Sequence, residues 1–131
     1  MPVLSTQARD RRALHEALSR QGRLVVCLCA AWCDTCEEFR STFERLSQGD
    51  PGSAYLWIDI EDDSELIGDL DIENFPTLAV FRGSLPLYYG VTMPQEPVVA
   101  RTLAALCADA RGQGSVPEAI RALPRALQEK A

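Results

Sequence analysis

The sequence is short of positive charge. Its 13 Lys and Arg face 19 Asp and Glu, a formal net charge of −6 with the single histidine, His15, neutral. Phosphate recognition depends on clustered Lys and Arg, so no nucleic-acid partner is expected. Long apolar runs are also missing. The longest, residues 24–33, is about half of the ~20 residues that a membrane-spanning helix needs, so no membrane association is expected. The N-terminus has no basic start leading into an apolar stretch, the mark of a secretory leader. The expected location is therefore cytoplasmic. No internal repeat or low-complexity segment stands out.

What is present suits one folded domain. The chain has 131 residues, of which 47% are apolar and 24% charged. That length is the usual size of a single domain, and that composition supplies enough side chain to bury a core. Four of the five cysteines, Cys27, Cys29, Cys33 and Cys36, lie within residues 27–36, and the fifth is Cys107. An odd, clustered set makes a poor disulfide framework. In a reducing compartment it reads as buried thiols plus a reactive or metal-binding pair.

Residues 7–20 read as a helix on the spacing of Ala13, Leu14, Ala17 and Leu18, with Ser5 or Thr6 as the cap. Residues 23–30 read as a strand apolar on both faces, the pattern of a central strand. Residues 34–46 form a second helix, with Phe39, Phe43 and Leu46 as its inner stripe. Strand 54–60, a short helix over 65–70, and a hairpin of strands 77–81 and 85–91 follow. A last helix starts near Pro97, with Val99, Leu103, Leu106 and Ala110 facing inward. The break Gly112-Gln113-Gly114-Ser115 separates a domain, residues 1–111, from a short helical C-terminal extension, residues 112–131. The extension is expected to fold back on the domain. Strand, helix, strand early in the chain predicts a parallel pair, and the late hairpin adds an antiparallel one. The fold class is α/β: a central mixed sheet of about four strands with helices on both faces.

The chemistry concentrates in Trp32-Cys33-Asp34-Thr35-Cys36, where a buried strand ends and a helix begins. A helix N-terminus carries partial positive charge and free N–H groups, which stabilise a thiolate, and the thiolate is the attacking species in thiol–disulfide exchange. Cys33, at the helix entry, is the expected attacking thiol. Cys36, one turn in, is the shielded thiol that forms a disulfide with Cys33 and releases the substrate. Phe75-Pro76-Thr77 stands directly before a strand. Proline cannot donate to a ladder, and a cis bond at Pro76 would leave the Phe75 backbone free to pair with an extended substrate beside Cys33.

The ordered set of Trp32-Cys33-x-x-Cys36, the acidic cluster from Asp59 to Glu61 that ends the next strand, Phe75-Pro76-Thr77 and Gly83 resembles the thioredoxin family over residues 8–110. The resemblance implies a thioredoxin-like fold with a sheet of four to five strands, a cis-proline at Pro76, and protein-disulfide reduction through a Cys33–Cys36 dithiol. Trp32, Phe75, Pro76 and Thr77 would form the substrate surface. No cofactor or metal is implied beyond the dithiol. The expected partners are disulfide-containing proteins and a thioredoxin-reductase-type electron donor, in a small, bacterial-type cytoplasmic oxidoreductase.

The departures from the family pattern concern tuning. Asp34-Thr35 replaces the usual Gly-Pro, Cys27 stands at the position of a buried carboxylate, and Trp57 stands where a lysine neighbours it. Glu37-Glu38 follows the second cysteine in place of a basic residue, and Ser41 replaces a helix-bending proline. Asp34, Glu37 and Glu38 set negative charge beside Cys33, and like charge disfavours a thiolate. Cys27 and Cys29, two residues apart on a buried strand, read as small core residues, and His15 as a boundary residue. Two other readings are an adaptor or chaperone-like binding module on the same fold with a slow dithiol, and a metal site built from Cys27, Cys29, Cys33 and Cys36.

Overall fold

Strand β1 (Arg23–Cys29) is the centre of the molecule, and its apolar run explains why. A strand with no polar face must be covered on both sides. It lies between β2 (Ser53–Asp59), which runs parallel to it, and β3 (Thr77–Arg82), which runs antiparallel. Strand β4 (Leu85–Val91) pairs antiparallel with β3 and closes a four-stranded mixed sheet of order β2-β1-β3-β4. The structure is a computed structural model that describes residues 3–19, 22–30, 33–67, 76–83, 85–106 and 116–129. Its helices are α1 (Arg11–Ser19), α2 (Asp34–Gln48), α3 (Ser64–Ile67), α4 (Glu96–Ala105), α5 (Glu118–Arg121) and α6 (Leu123–Glu129).

The two-residue alternation of side chains divides β1 between two cores. Leu24, Val26 and Leu28 join Leu56, Ile58, Ala79 and Phe81 on one face of the sheet. That face is covered by Leu14 and Leu18 of α1, Leu66 of α3, Ile120 of α5, and Leu123 and Leu127 of α6. The C-terminal residues thus lie in the same core as the central strand. Val25, Cys27 and Cys29 point the other way, with Tyr55, Leu78, Val80 and Leu87. They meet Cys36, Phe39 and Phe43 of α2, and Val99 and Leu103 of α4. The site is built on this second face.

Local chemistry sets the joints. Gly83, at φ 60°, makes the turn between β3 and β4, a backbone region that favours glycine. Pro86 sits in β4, an edge strand, where its missing N–H disturbs no central ladder. Val80 pairs with Tyr88 but Phe81 pairs with Pro86, so Leu87 is an extra residue in β4. Tyr88 and Tyr89 pack against opposite cores, and both are half-buried. Leu4 adds one parallel bridge to β2 at Leu56.

Candidate redox site

Helix α2 begins at the C-terminal end of β1, and Cys33 is its N-cap. The Cys33 carbonyl accepts the Glu37 N–H at 3.1 Å, and its own N–H donates to the Ala30 carbonyl at 3.1 Å. The turn from strand to helix is thereby pinned at Cys33. Its thiol is free and half-buried, at the positive end of a 15-residue helix. Asp34 and Glu37, in the first turn, are exposed, as is Glu38, and Thr35 is half-buried.

Cys36, one turn into α2, is almost fully buried, 1% exposed. The structure corrects its expected bond to Cys33. Cys36 is joined by a disulfide to Cys29, with a Cα–Cα distance of 5.7 Å, inside the ordinary disulfide span. The cause is the face that α2 covers. Cys36, Phe39 and Phe43 form the inner stripe of α2, and this stripe packs on the same face of β1 that carries Cys27 and Cys29. Cys29, expected as packing, is therefore a bonded cysteine. Cys27 remains a buried free thiol, with its Sγ 3.6 Å from the Cys29 Sγ.

Burial pushes the Cys27 thiol well above its ordinary range, and the Arg40 charge opposes this without offsetting it. Arg40 is a component of the site that sequence reasoning missed. Its guanidinium stands 4.9 Å from the centroid of the Trp57 ring, a cation–π distance, and its Nε donates to Glu44 at 3.2 Å. Arg40 follows Cys36 by four residues, the spacing that places two helical side chains on one face, and this was the available signal. Ala30, Cys36, Glu37, Arg40, Trp57 and Asp59 line an open depression of about 300 Å³. Trp57 pairs with Cys27 across the β1–β2 ladder and is half-buried.

Thr77 starts β3 opposite Leu28, one residue before Cys29, and is buried. Pro76 is buried, and its carbonyl accepts the Thr92 N–H at 3.0 Å. Pro76 and Thr77 thus lie at the same end of the sheet as the start of α2. Trp32 and Phe75 lie outside the described residues, and with them the geometry of the bond before Pro76. His15 lies on α1, which packs on the opposite core. Among the described residues, no group of three or more His, Cys, Asp and Glu is arranged to hold a metal ion. While Cys29 and Cys36 are bonded to each other, neither offers a thiolate to one.

The thioredoxin family model matches residues 5–108. Horse thioredoxin is 27% identical over 78 residues, 58% of this chain and 74% of that protein. Mouse protein disulfide-isomerase A4 is 29% identical over 76 residues, 55% of this chain and 12% of that protein. The crystal structure of a poplar thioredoxin h superposes with a TM-score of 0.69 at 21% identity, covering 83% of this chain and 99% of that one. With a matching family model over most of its length and a redox cysteine cluster at the strand–helix junction, the chain belongs to the thioredoxin family.

Proposed function

We propose that the chain is a thiol–disulfide oxidoreductase that reduces protein disulfides, with Cys33 as the attacking thiol and Cys36 as the resolving one. The observation that carries this reading is the position of Cys33: a free, half-exposed thiol at the N-cap of α2, one helical turn from the buried sulfur of Cys36. Cys33 caps the positive end of α2, and the thiolate form of a thiol is the attacking species in disulfide exchange. That thiolate attacks a substrate disulfide, forming a mixed disulfide and releasing the first substrate sulfur. Cys36, once freed from Cys29 by reduction, attacks the Cys33 sulfur and releases the second. The electrons come from a thioredoxin-reductase-type donor, and a reducing cytoplasm is the compartment in which such a reductant works. Trp32, Phe75, Pro76 and Thr77 are proposed as the substrate surface.

The test is insulin reduction with dithiothreitol as donor. Cys33→Ser should lower the rate at least a hundredfold, to that of dithiothreitol alone. A Cys33→Ser protein as fast as the parent chain would overturn the reading. The neutral Cys27, where a carboxylate would otherwise assist Cys36, favours a second reading: a binding module with a slow dithiol. That reading expects the parent chain itself to add nothing to the dithiothreitol rate while still binding unfolded or disulfide-containing proteins.

A further inference from the structure

The two-cysteine cycle leaves Cys29 without a role, yet Cys29 holds the disulfide. Cys27, Cys29 and Cys36 are buried in one apolar cluster, and Cys33 packs against its edge. Burial deepens across the four: Cys33 is half-buried, Cys36 and Cys29 are each 1% exposed, and Cys27 is fully enclosed. Cys36 sits between two possible partners, Cys33 on its own helix and Cys29 on β1.

We propose that Cys29 is a second resolving thiol, which takes over the Cys33–Cys36 disulfide and carries it into the core as Cys29–Cys36. The proposal rests on the reductase reading for how the outer disulfide arises. In the transfer, the Cys29 sulfur attacks the Cys36 sulfur. The Cys33–Cys36 bond breaks as the Cys29–Cys36 bond forms, and the electron pair leaves on the Cys33 sulfur. The proton lost by Cys29 is taken up by the released Cys33 thiolate or by water. No electron enters or leaves the protein, so no further oxidant or reductant is needed. Recycling runs in reverse: Cys33 attacks Cys36, Cys29 departs and regains a proton, and the dithiol donor then reduces the outer bond.

Two physical consequences distinguish this device from an ordinary dithiol. Oxidised protein keeps Cys33 free, because the bond has moved away from it. The oxidised state also gains a second, more stable form, which makes the couple a stronger reductant. Each tenfold preference for the inner bond lowers the potential by ~30 mV for a two-electron couple. Cys27 fits the scheme as the protonated thiol facing the Cys29 sulfur at 3.6 Å, placed to donate an S–H bond when Cys29 departs.

The test is a linkage map of the full chain. Reduced protein is treated with one equivalent of diamide, quenched in acid, alkylated with N-ethylmaleimide, and cleaved after Arg23 and Arg40 and before Asp34. The fragments 24–33 and 34–40 should be joined by one disulfide, with the label on Cys27 and Cys33, in at least tenfold excess over other products. A joined product labelled on Cys27 and Cys29 means a Cys33–Cys36 bond and overturns the proposal, as does a Cys27–Cys29 bond within the first fragment. In Cys29→Ala the bond should move to Cys33–Cys36, Cys33 should lose its label, and the potential should rise by ~30 mV or more. An unchanged potential would also overturn it. The map on the parent chain needs no variant, so the proposal stays testable if Cys29→Ala does not fold. It also needs no substrate. Failure to reduce insulin counts against the reductase reading alone, whereas a Cys33–Cys36 map in an active protein counts against the transfer alone.

Discussion

A thiol at Cys27 and a carboxylate at the same place differ most in what they do with a proton. Cys27 is fully buried, and desolvation holds it in the S–H form. It can donate to a neighbouring sulfur but cannot accept that sulfur's proton at neutral pH. An aspartate there would face the Cys29 sulfur and feel the Arg40 charge, which favours its ionised form. Cys27→Asp should therefore speed insulin reduction several-fold at pH 7, because the inner thiols gain a base. It should also lower the urea midpoint, because a buried carboxylate costs several kcal/mol where it is poorly paired. Cys27→Ala controls for the lost packing. A folded Cys27→Asp protein no faster than Cys27→Ala would show that proton removal inside the core does not limit the cycle. At this scale the sequence was legible in type and not in pairing. Cys33 and Cys36 stand out by spacing alone. Whether Cys36 bonds to a residue three positions back or seven depends on which face of β1 the next helix covers, and no local pattern states that.

The elements themselves were legible because their periods differ so sharply. The unbroken apolar run of β1 and the stripe of Phe39, Phe43 and Leu46 on α2 admit few other readings. Cross-links between elements were not legible, because they join residues distant in sequence. Arg23 is the main one. At the start of β1 its guanidinium donates to Asp50 Oδ2 at 2.6 Å and to the Leu103 carbonyl at 2.6 Å, and its Nε donates to Ser53 Oγ at 3.0 Å. The Tyr55 hydroxyl donates to the same Asp50 oxygen at 2.9 Å. One arginine thus ties β1 to the turn before β2 and to α4, the elements that surround α2. Burial pushes the Asp50 carboxyl up, but bonds from Arg23, Tyr55 and Ser53, with the Arg23 charge, more than reverse this and hold it below its ordinary value. A group whose folded value is lowered stabilises the fold while it is ionised. That contribution is full at neutral pH. It starts to fade as the pH drops through the unfolded carboxyl's range near ~4, and it is gone below the folded value. Asp50→Asn should cost about 1–3 kcal/mol at pH 7, and its deficit in urea unfolding should shrink steadily between pH 5 and pH 3. A deficit independent of pH would mean that the carboxylate's charge is not what binds these elements.

Over the whole molecule, charge and topology converge on one end of the sheet. The C-terminal ends of β1 and β2, the start of β3 and the first turn of α2 all lie there. That end carries exposed Asp34, Glu37 and Glu38 beside Cys33, and exposed Glu61 and Asp62 after β2. The Asp59 carboxylate accepts the N–H groups of Glu61 at 2.8 Å and Asp62 at 3.2 Å, which holds these two acids in a tight turn. Arg40 offsets part of this field next to Trp57, but the chain as a whole is at −6. An acidic rim around an attacking thiol steers association more than it alters bound affinity. Under the reductase reading, disulfide peptides flanked by lysines should be reduced several-fold faster than the same peptides flanked by glutamates at low ionic strength. The preference should lie in kcat/KM rather than in kcat. It should fall towards unity near 1 M salt, where the Debye length drops to about 3 Å. The triple variant Asp34→Asn, Glu37→Gln, Glu38→Gln should lose most of the preference even at low salt. Equal rates on the two peptides in dilute buffer would mean that the rim does not select substrates, and a preference that survives high salt would place the selection in direct contacts, such as with the depression lined by Glu37, Arg40 and Trp57, instead of in the field around it.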